Sequence, residues 1–341
     1  VTSPAASGQA LLAQVLRGGE VESSHSGAVA VVDARGRLLH HTGDPHGLTF
    51  TRSTLKPFQA MPFVHAGGLE RFGYTEAEAA LLCASHFGEG KHVQAAQRML
   101  SQAGCGEHHL QCGCHEPLHF GIEGKRPHAG EVFSQLHNNC SGKHAGFLAW
   151  CMLHGQPLDS YLDPSHPLQV AVRGSAAHFA GLAEADLRAG IDGCSAPNYA
   201  MPLASLALAY ARLAQDDPDP AYGEAPRRLF AAMTSHPDMV SGNGRSDLAF
   251  MRTAPGDWVA KAGAEGVQAL GIRSAGLGIA IKIADGNARA LAVVMVDVLR
   301  QLGLLSKVEG TPLEAWARPE IRNLRGLPTG AIMPAVQLMK A

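Results

Sequence analysis

The sequence lacks any apolar run close to the roughly 20 residues that cross a bilayer, so no membrane span and no membrane partner are expected. Charge is scarce as well. Only 17% of the 341 residues are charged, and the formal net charge is −2. That leaves no basic field for nucleic acid. Aromatic residues make up only 6%. Val1 to Gly8 have neither the basic start nor the apolar centre of a secretory signal. Seven cysteines, an odd number in a chain of this length, fit reduced thiols or metal ligands better than a disulfide framework. A cytoplasmic protein is expected. The sequence does have an apolar fraction of 46%, carried mostly by Ala, Leu and Val, and 18 histidines. This is enough core for one large domain over residues 1–341, and a small, nearly neutral molecule is the partner that suits it.

Residues 1–15 read as peripheral. Gly27 to Asp33 and Arg37 to Thr42, joined at Ala34–Gly36, read as a β-hairpin. The middle of the chain is helical. Thr75-Glu76-Ala77-Glu78 is a capping box, and helical spacing continues over 91–102, 145–154, 166–180, 202–215 and 225–233. Strand signals return at Trp258–Gly263, Gly266–Ile272 and Leu277–Ala284, followed by a helix over 288–302 and a tail broken by Pro and Gly. Strands at both ends with helices between them predict an α/β (α+β) fold. Its sheet is mostly antiparallel, built from both termini and flanked by helices.

Five polar clusters interrupt this pattern. The first is Arg52-Ser53-Thr54-Leu55-Lys56-Pro57, a Ser-x-x-Lys pair that Pro57 places at a helix start. The others are Ser85-His86-Phe87-Gly88-Glu89, His137 to Gly146, Gly190 to Asn198, and Lys261-Ala262-Gly263 on a predicted strand. Ser-x-x-Lys with a late Lys-x-Gly is the sign of serine β-lactamases and penicillin-binding proteins. The chemistry is acyl transfer, with a serine nucleophile, a lysine that sheds its proton, and backbone N–H groups around an oxyanion. A solvated lysine with pKa about 10.4 is neutral at pH 7 only at a cost of about 4.6 kcal/mol. Neighbouring cations lower that cost, so Lys56, Lys143 and Lys261 are expected to converge on one pocket.

Taken with His236 to Gly242, these motifs resemble the asparaginase II-like family, the Rhizobium-type or class 3 L-asparaginases, over about residues 20 to 335. The resemblance implies a fold like that of serine β-lactamases and glutaminases. It also implies hydrolysis of L-asparagine to L-aspartate and ammonia, and a homodimer. It implies two Ser–Lys tandems, Ser53 with Lys56 and Ser85 with Lys261, and one zinc ion held by Cys140, Lys143 and Cys194. It places Arg52, His144 and Asp192, with Lys143, at positions that contact substrate or the metal surroundings.

From the residues alone, thiolates in Gly-rich polar loops suit zinc, and two buried free cysteines are the plainer reading of Cys140 and Cys194. A lysine ligand must lose its proton first, so such a metal positions or regulates rather than generating hydroxide. Cys112-Gly113-Cys114-His115 looks like a zinc knuckle but lacks a second Cys pair, and reads as a structural loop. Asp247 reads as a cap for a helix over 248–252, and His86 and Glu89 as pocket residues without direct roles. Two other functions stay open: a β-lactamase or penicillin-binding-type hydrolase of the same fold, and a non-catalytic zinc-responsive protein.

Overall fold

A computed structural model describes residues 8–122 and 124–341. Its strands are β1 (Ala10–Arg17), β2 (Glu20–Asp33), β3 (Leu38–Thr42), β4 (Leu48–Phe50), β5 (Arg188–Ile191), β6 (Pro197–Pro202), β7 (Trp258–Gly263), β8 (Val267–Ile272), β9 (Leu277–Ile283), β10 (Glu320–Arg322), β11 (Pro328–Pro334) and β12 (Met339–Lys340). The main sheet runs β10-β11-β1-β2-β9-β8-β7, with β3 also on β2 and β12 on β3. Every pairing is antiparallel. The expected fold class, an antiparallel sheet built from both termini and flanked by helices, is the one observed.

Two expectations about the ends need correction. Within residues 1–15, the described part is not peripheral: β1 lies inside the sheet, with β2 on one side and β11 on the other. Residues 1–7 lie outside the described residues. The Pro- and Gly-broken tail also supplies three strands. Pro328 and Pro334 sit at the two ends of β11, where a missing N–H is tolerated.

The central strands are apolar because both of their faces are covered: every residue of β7 and β8 is buried. The Leu203–Leu213 helix packs on β2, β8 and β9, and the Leu291–Gln301 helix on β1, β9 and β11. The first of these approaches very closely. A Cβ at Gly278 would lie 1.8 Å from the Ala207 carbonyl oxygen, so only glycine fits there. Helices Lys56–His65, Glu76–Leu82, Gly90–Gln102, Ser141–His154 and Pro167–Ala180 form the helical part. Thr75 and Glu78 make the predicted capping box, and Glu78 is fully buried against Arg98 at 2.7 Å. A small second sheet, β4-β6-β5, was not anticipated. It joins the strand entering the Ser53 turn to the segment around Asp192. Among the described residues no helix is long and apolar enough to cross a membrane.

Candidate active site

Ser53 sits in a short 3₁₀ turn, Arg52–Leu55, which runs straight into the Lys56–His65 helix. The expected helix start is therefore present, but the expected Ser53–Lys56 contact is not. A 3₁₀ turn is wound tighter than an α-helix, and Lys56 Nζ instead donates to Ser85 Oγ at 3.0 Å. It also donates to the carbonyls of Ala84 and Asn139. From the other side Lys261 Nζ donates to the same Ser85 Oγ at 2.9 Å and to Ala262 O at 2.8 Å. Ser85, Lys56 and Lys261 are all buried. One hydroxyl thus lies between two lysines drawn from segments 205 positions apart, 261 less 56. The half-buried Ser53 hydroxyl has no hydrogen-bond partner among the described residues.

Lysine 261 is held down to about pH 7. Burial is the main cause and the nearby charges of Lys56 and Arg245 add to it, while Asp247 works against them. Asp247 Oδ2 lies 3.8 Å from Lys261 Nζ, and both side chains are fully buried. The carboxylate accepts from Ala262 N at 3.0 Å and from Gln268 Nε2 at 3.4 Å. It serves β7 and β8 and does not cap its own helix, Ser246–Thr253, which corrects the earlier reading. Gly263 lets β7 come in close: a Cβ there would lie 3.1 Å from Thr51 O and 3.2 Å from both Arg52 Cβ and Ser53 N. A cavity of about 400 Å³ is lined by Phe87, Arg245, Ala262, Gly263 and Trp316 among others. Arg245 also reaches Ser85 O at 3.3 Å.

The third expected lysine is not part of this group. Lys143 and His144 lie in the first turn of Ser141–His154, a helix that begins four residues earlier than expected. Lys143 Nζ donates to Cys194 Sγ at 3.0 Å. Burial works to lower the Lys143 pKa, but the thiols of Cys194 and Cys140 outweigh it and raise it. Cys194 is held far below the usual thiol range by the Cys140 thiol, against burial, with Lys143 and His144 adding to the effect. Cys140 is pushed up correspondingly. His144 donates or accepts at Tyr161 Oη at 2.7 Å through Nδ1. Its Nε2 is buried without a hydrogen bond of good geometry, yet faces Cys194 closely enough to influence it. Burial lowers the His144 pKa to about 4.

Among the described residues, no group of three or more His, Cys, Asp or Glu is arranged to hold a metal. Cys140, Cys194 and Lys143 are instead two thiols and an amine, with an unsatisfied imidazole nitrogen beside them. Sulfur and nitrogen donors of this kind are chemically suited to zinc. All seven cysteines are free. The 112–115 loop is hydrogen-bonded to the 138–139 turn. Asn138 Nδ2 donates to the carbonyls of Cys112 and Gly113, and His115 Nε2 accepts Asn139 N–H at 3.0 Å. The loop therefore braces the turn that carries Cys140.

Arg52 and Asp192 form an ion pair at 2.9 Å with their side chains 25% and 12% exposed, which leaves both reachable from solvent. His86 is buried against Ser141 at 2.9 Å, and Glu89 accepts from Asn243 N at 3.2 Å. Sequence reasoning gave no role to Asn139, whose carbonyl accepts from both Lys56 and the His86 N–H. Main-chain groups of this kind carry no signal in residue type.

A family model described as L-asparaginase II matches residues 13–334. The chain belongs to the L-asparaginase II family. It is a hydrolase of the asparaginase type, acting on the carbon–nitrogen bond of an amide. No curated protein matches it. Similar solved structures include Mglu, at 15% identity and TM-score 0.42 over 81% of this chain and 67% of that one. Mglu in its native form is also similar, at 15% and 0.43 over 83% and 66%. A beta-lactamase from Mycobacterium bovis matches at 14% and 0.35 over 81% and 94%. The chain spans 59–67% of the Mglu chains' length. Similarity at this level carries no argument about activity.

Proposed function

We propose that this member of the family hydrolyses the side-chain amide of L-asparagine through an acyl-enzyme on Ser53. The observation that carries the reading is Ser85 Oγ, buried between the nitrogens of Lys56 and Lys261, with Lys56 itself one turn along the chain from Ser53, whose hydroxyl is unengaged. Ser53 Oγ attacks the amide carbon. Its proton passes by way of Lys56 and Ser85, each giving up one proton as it takes another, to neutral Lys261, and the same chain returns a proton to the departing nitrogen as the C–N bond breaks and ammonia leaves. Water then attacks the ester, giving L-aspartate and regenerating the serine. The Ser53 N–H has no hydrogen-bond partner among the described residues and is the candidate donor to the oxyanion. Arg52 and Asp192 offer opposite charges to the α-carboxylate and α-ammonium of the amino acid. Lys143 and His144 stand behind them.

Cys140, Lys143 and Cys194 would hold zinc, with His144 Nε2 beside them. A zinc ion there supplies fixed positive charge and ties the Cys140 turn to the Cys194 loop. The homodimer that the family implies belongs to the same proposal.

The test is ammonia release from L-asparagine, with L-glutamine alongside, by wild type, Ser53→Ala and Ser85→Ala. Wild type is expected to turn over asparagine, and Ser53→Ala to lose several orders of magnitude in kcat. Ser85→Ala should lose about 10²–10⁴-fold, the range for a proton-transfer group. Ser53→Ala activity above about a tenth of wild type would remove Ser53 as nucleophile. No ammonia from folded wild type, with turnover of a chromogenic cephalosporin, would move the assignment to a β-lactam hydrolase.

A further inference from the structure

The residue before the proposed nucleophile has an uncommon backbone. Arg52 has φ +48°, in the left-handed region that residues with a Cβ seldom occupy. Such a conformation persists only where its neighbours over-determine it. The neighbour here is Asn198, in β6, 2% exposed. Its Oδ1 accepts the Arg52 N–H at 3.0 Å, and its Nδ2 donates to the Arg52 carbonyl at 3.1 Å. Thr51 Oγ1 also points to Oδ1, at 3.4 Å. The opposite amide orientation would set NH₂ against N–H and oxygen against carbonyl, so the contacts fix which atom is which.

The clamp sits where β4 stops. Phe50 is paired with Ala200, and Thr51 N donates to Tyr199 O. At the next position the Asn198 side chain stands in for a strand backbone and grips both polar groups of Arg52. Across a trans peptide the carbonyl and the following N–H point in opposite directions. Anchoring the Arg52 carbonyl on Asn198 therefore turns the Ser53 N–H away from Asn198. Gly263 comes close to the same peptide: a Cβ there would lie 3.2 Å from Ser53 N.

We infer that Asn198 is a positioning residue for the acyl transfer: its amide locks Arg52 in the left-handed conformation and so aims the hydroxyl and the N–H of Ser53 at the substrate carbonyl. This rests on Ser53 being the nucleophile. A side chain that only stabilised the fold would lower thermal stability and leave the chemistry of the folded protein alone. A positioning side chain acts on kcat through Ser53.

The experiment compares full-length wild type, Asn198→Ala, Asn198→Asp, Ser53→Ala and the Ser53→Ala/Asn198→Asp double variant in ammonia release from L-asparagine. Asp keeps the shape of Asn and the acceptor for Arg52 N–H, and loses the donor to the Arg52 carbonyl. Asn198→Asp is expected to lower kcat by about 10²–10³-fold, the loss typical of one oxyanion donor. KM should stay within about threefold, and the pH profile should keep its shape. On top of Ser53→Ala it should cost nothing more. A folded Asn198→Asp with kcat within about threefold of wild type would overturn the inference. So would an effect on KM alone, or an added loss in the double variant. Failure of both Asn198 variants to fold would make the residue a fold determinant and equally sink the positioning role. An active Ser53→Ala single variant would instead remove the nucleophile reading, and that result is read without any Asn198 variant.

Discussion

Lys261 shows how much one residue's chemistry depends on what is buried with it. Burial and the Lys56 and Arg245 charges bring it to about pH 7, and Asp247 at 3.8 Å holds it from falling further. If neutral Lys261 is the form that accepts a proton through Ser85, activity should rise as pH climbs through about 7. Removing the Asp247 charge favours the neutral amine and lowers that pKa. Asp247→Asn, which keeps an acceptor for Ala262 N–H, should move the acid limb of the kcat profile down by about one pH unit or more. A limb that stays put or moves up would separate Lys261 from the rate. The aspartate's role was not legible in the sequence, because a residue just inside a helix looks like a cap. Its partners lie 15 and 21 positions away on β7 and β8. The thiols make a second residue-scale prediction. Elemental analysis of purified wild type should find about one zinc per chain, and Cys140→Ser or Cys194→Ser close to none, since loss of one of a few strong donors undoes such a site. Equal zinc in wild type and both variants would place the metal elsewhere.

At the scale of elements, the hairpin of β2 and β3, the capping box and the three late strands were readable because their signals are local. They consist of alternating or continuous apolar runs, turn residues and a Thr-x-x-Glu box. β1 was not readable. Its sequence, Ala-Leu-Leu-Ala-Gln-Val-Leu-Arg, is rich in residues that favour helix, and only pairing with β2 and β11 makes it a strand. It follows that deleting residues 8–17 should not be tolerated. The deletion would leave β11 without its partner and strip one edge of β2 over Glu20–Gly27. The expected result is insoluble protein or loss of the folding transition, read by circular dichroism and solubility. A folded, active truncation would show the strand to be peripheral after all. Gly263 probes the contact between β7 and the Ser53 turn. Gly263→Ala forces Thr51 O, Arg52 Cβ and Ser53 N to move by a few tenths of an ångström. kcat should fall about tenfold or more, because misplacement well under an ångström is costly in an acyl-transfer site. Wild-type kcat in this variant would mean that the turn gives way freely.

At the scale of the whole molecule, the site exists only once the two ends of the chain have met. β2 near the start pairs along Gly27–Asp33 with β9 at Leu277–Ile283, and β1 pairs with β11 at Gly330–Pro334. That closure places β7 against the Ser53 turn and Lys261 on Ser85. The resemblance of separate motifs names the residues and pairs Ser85 with Lys261, a contact the structure has, but does not show that Lys56 meets Ser85 rather than Ser53, because the register between distant segments is set by packing across the sheet. Chains of this length often unfold through intermediates. Here the sheet runs through both termini, so neither half keeps a complete core. The three tryptophans report on separate places: Trp150 in the Ser141–His154 helix, Trp258 in β7 and Trp316 near the C-terminal strands. Thermal unfolding followed through each tryptophan alone, with the other two replaced by Phe, should give one shared midpoint, and activity should be lost at that midpoint. Calorimetric and van't Hoff enthalpies should agree, as they do when no partly folded state is populated. Separate midpoints for Trp150 and Trp258 would mean that the helical part and the sheet melt independently, and that the site is an interface between two units.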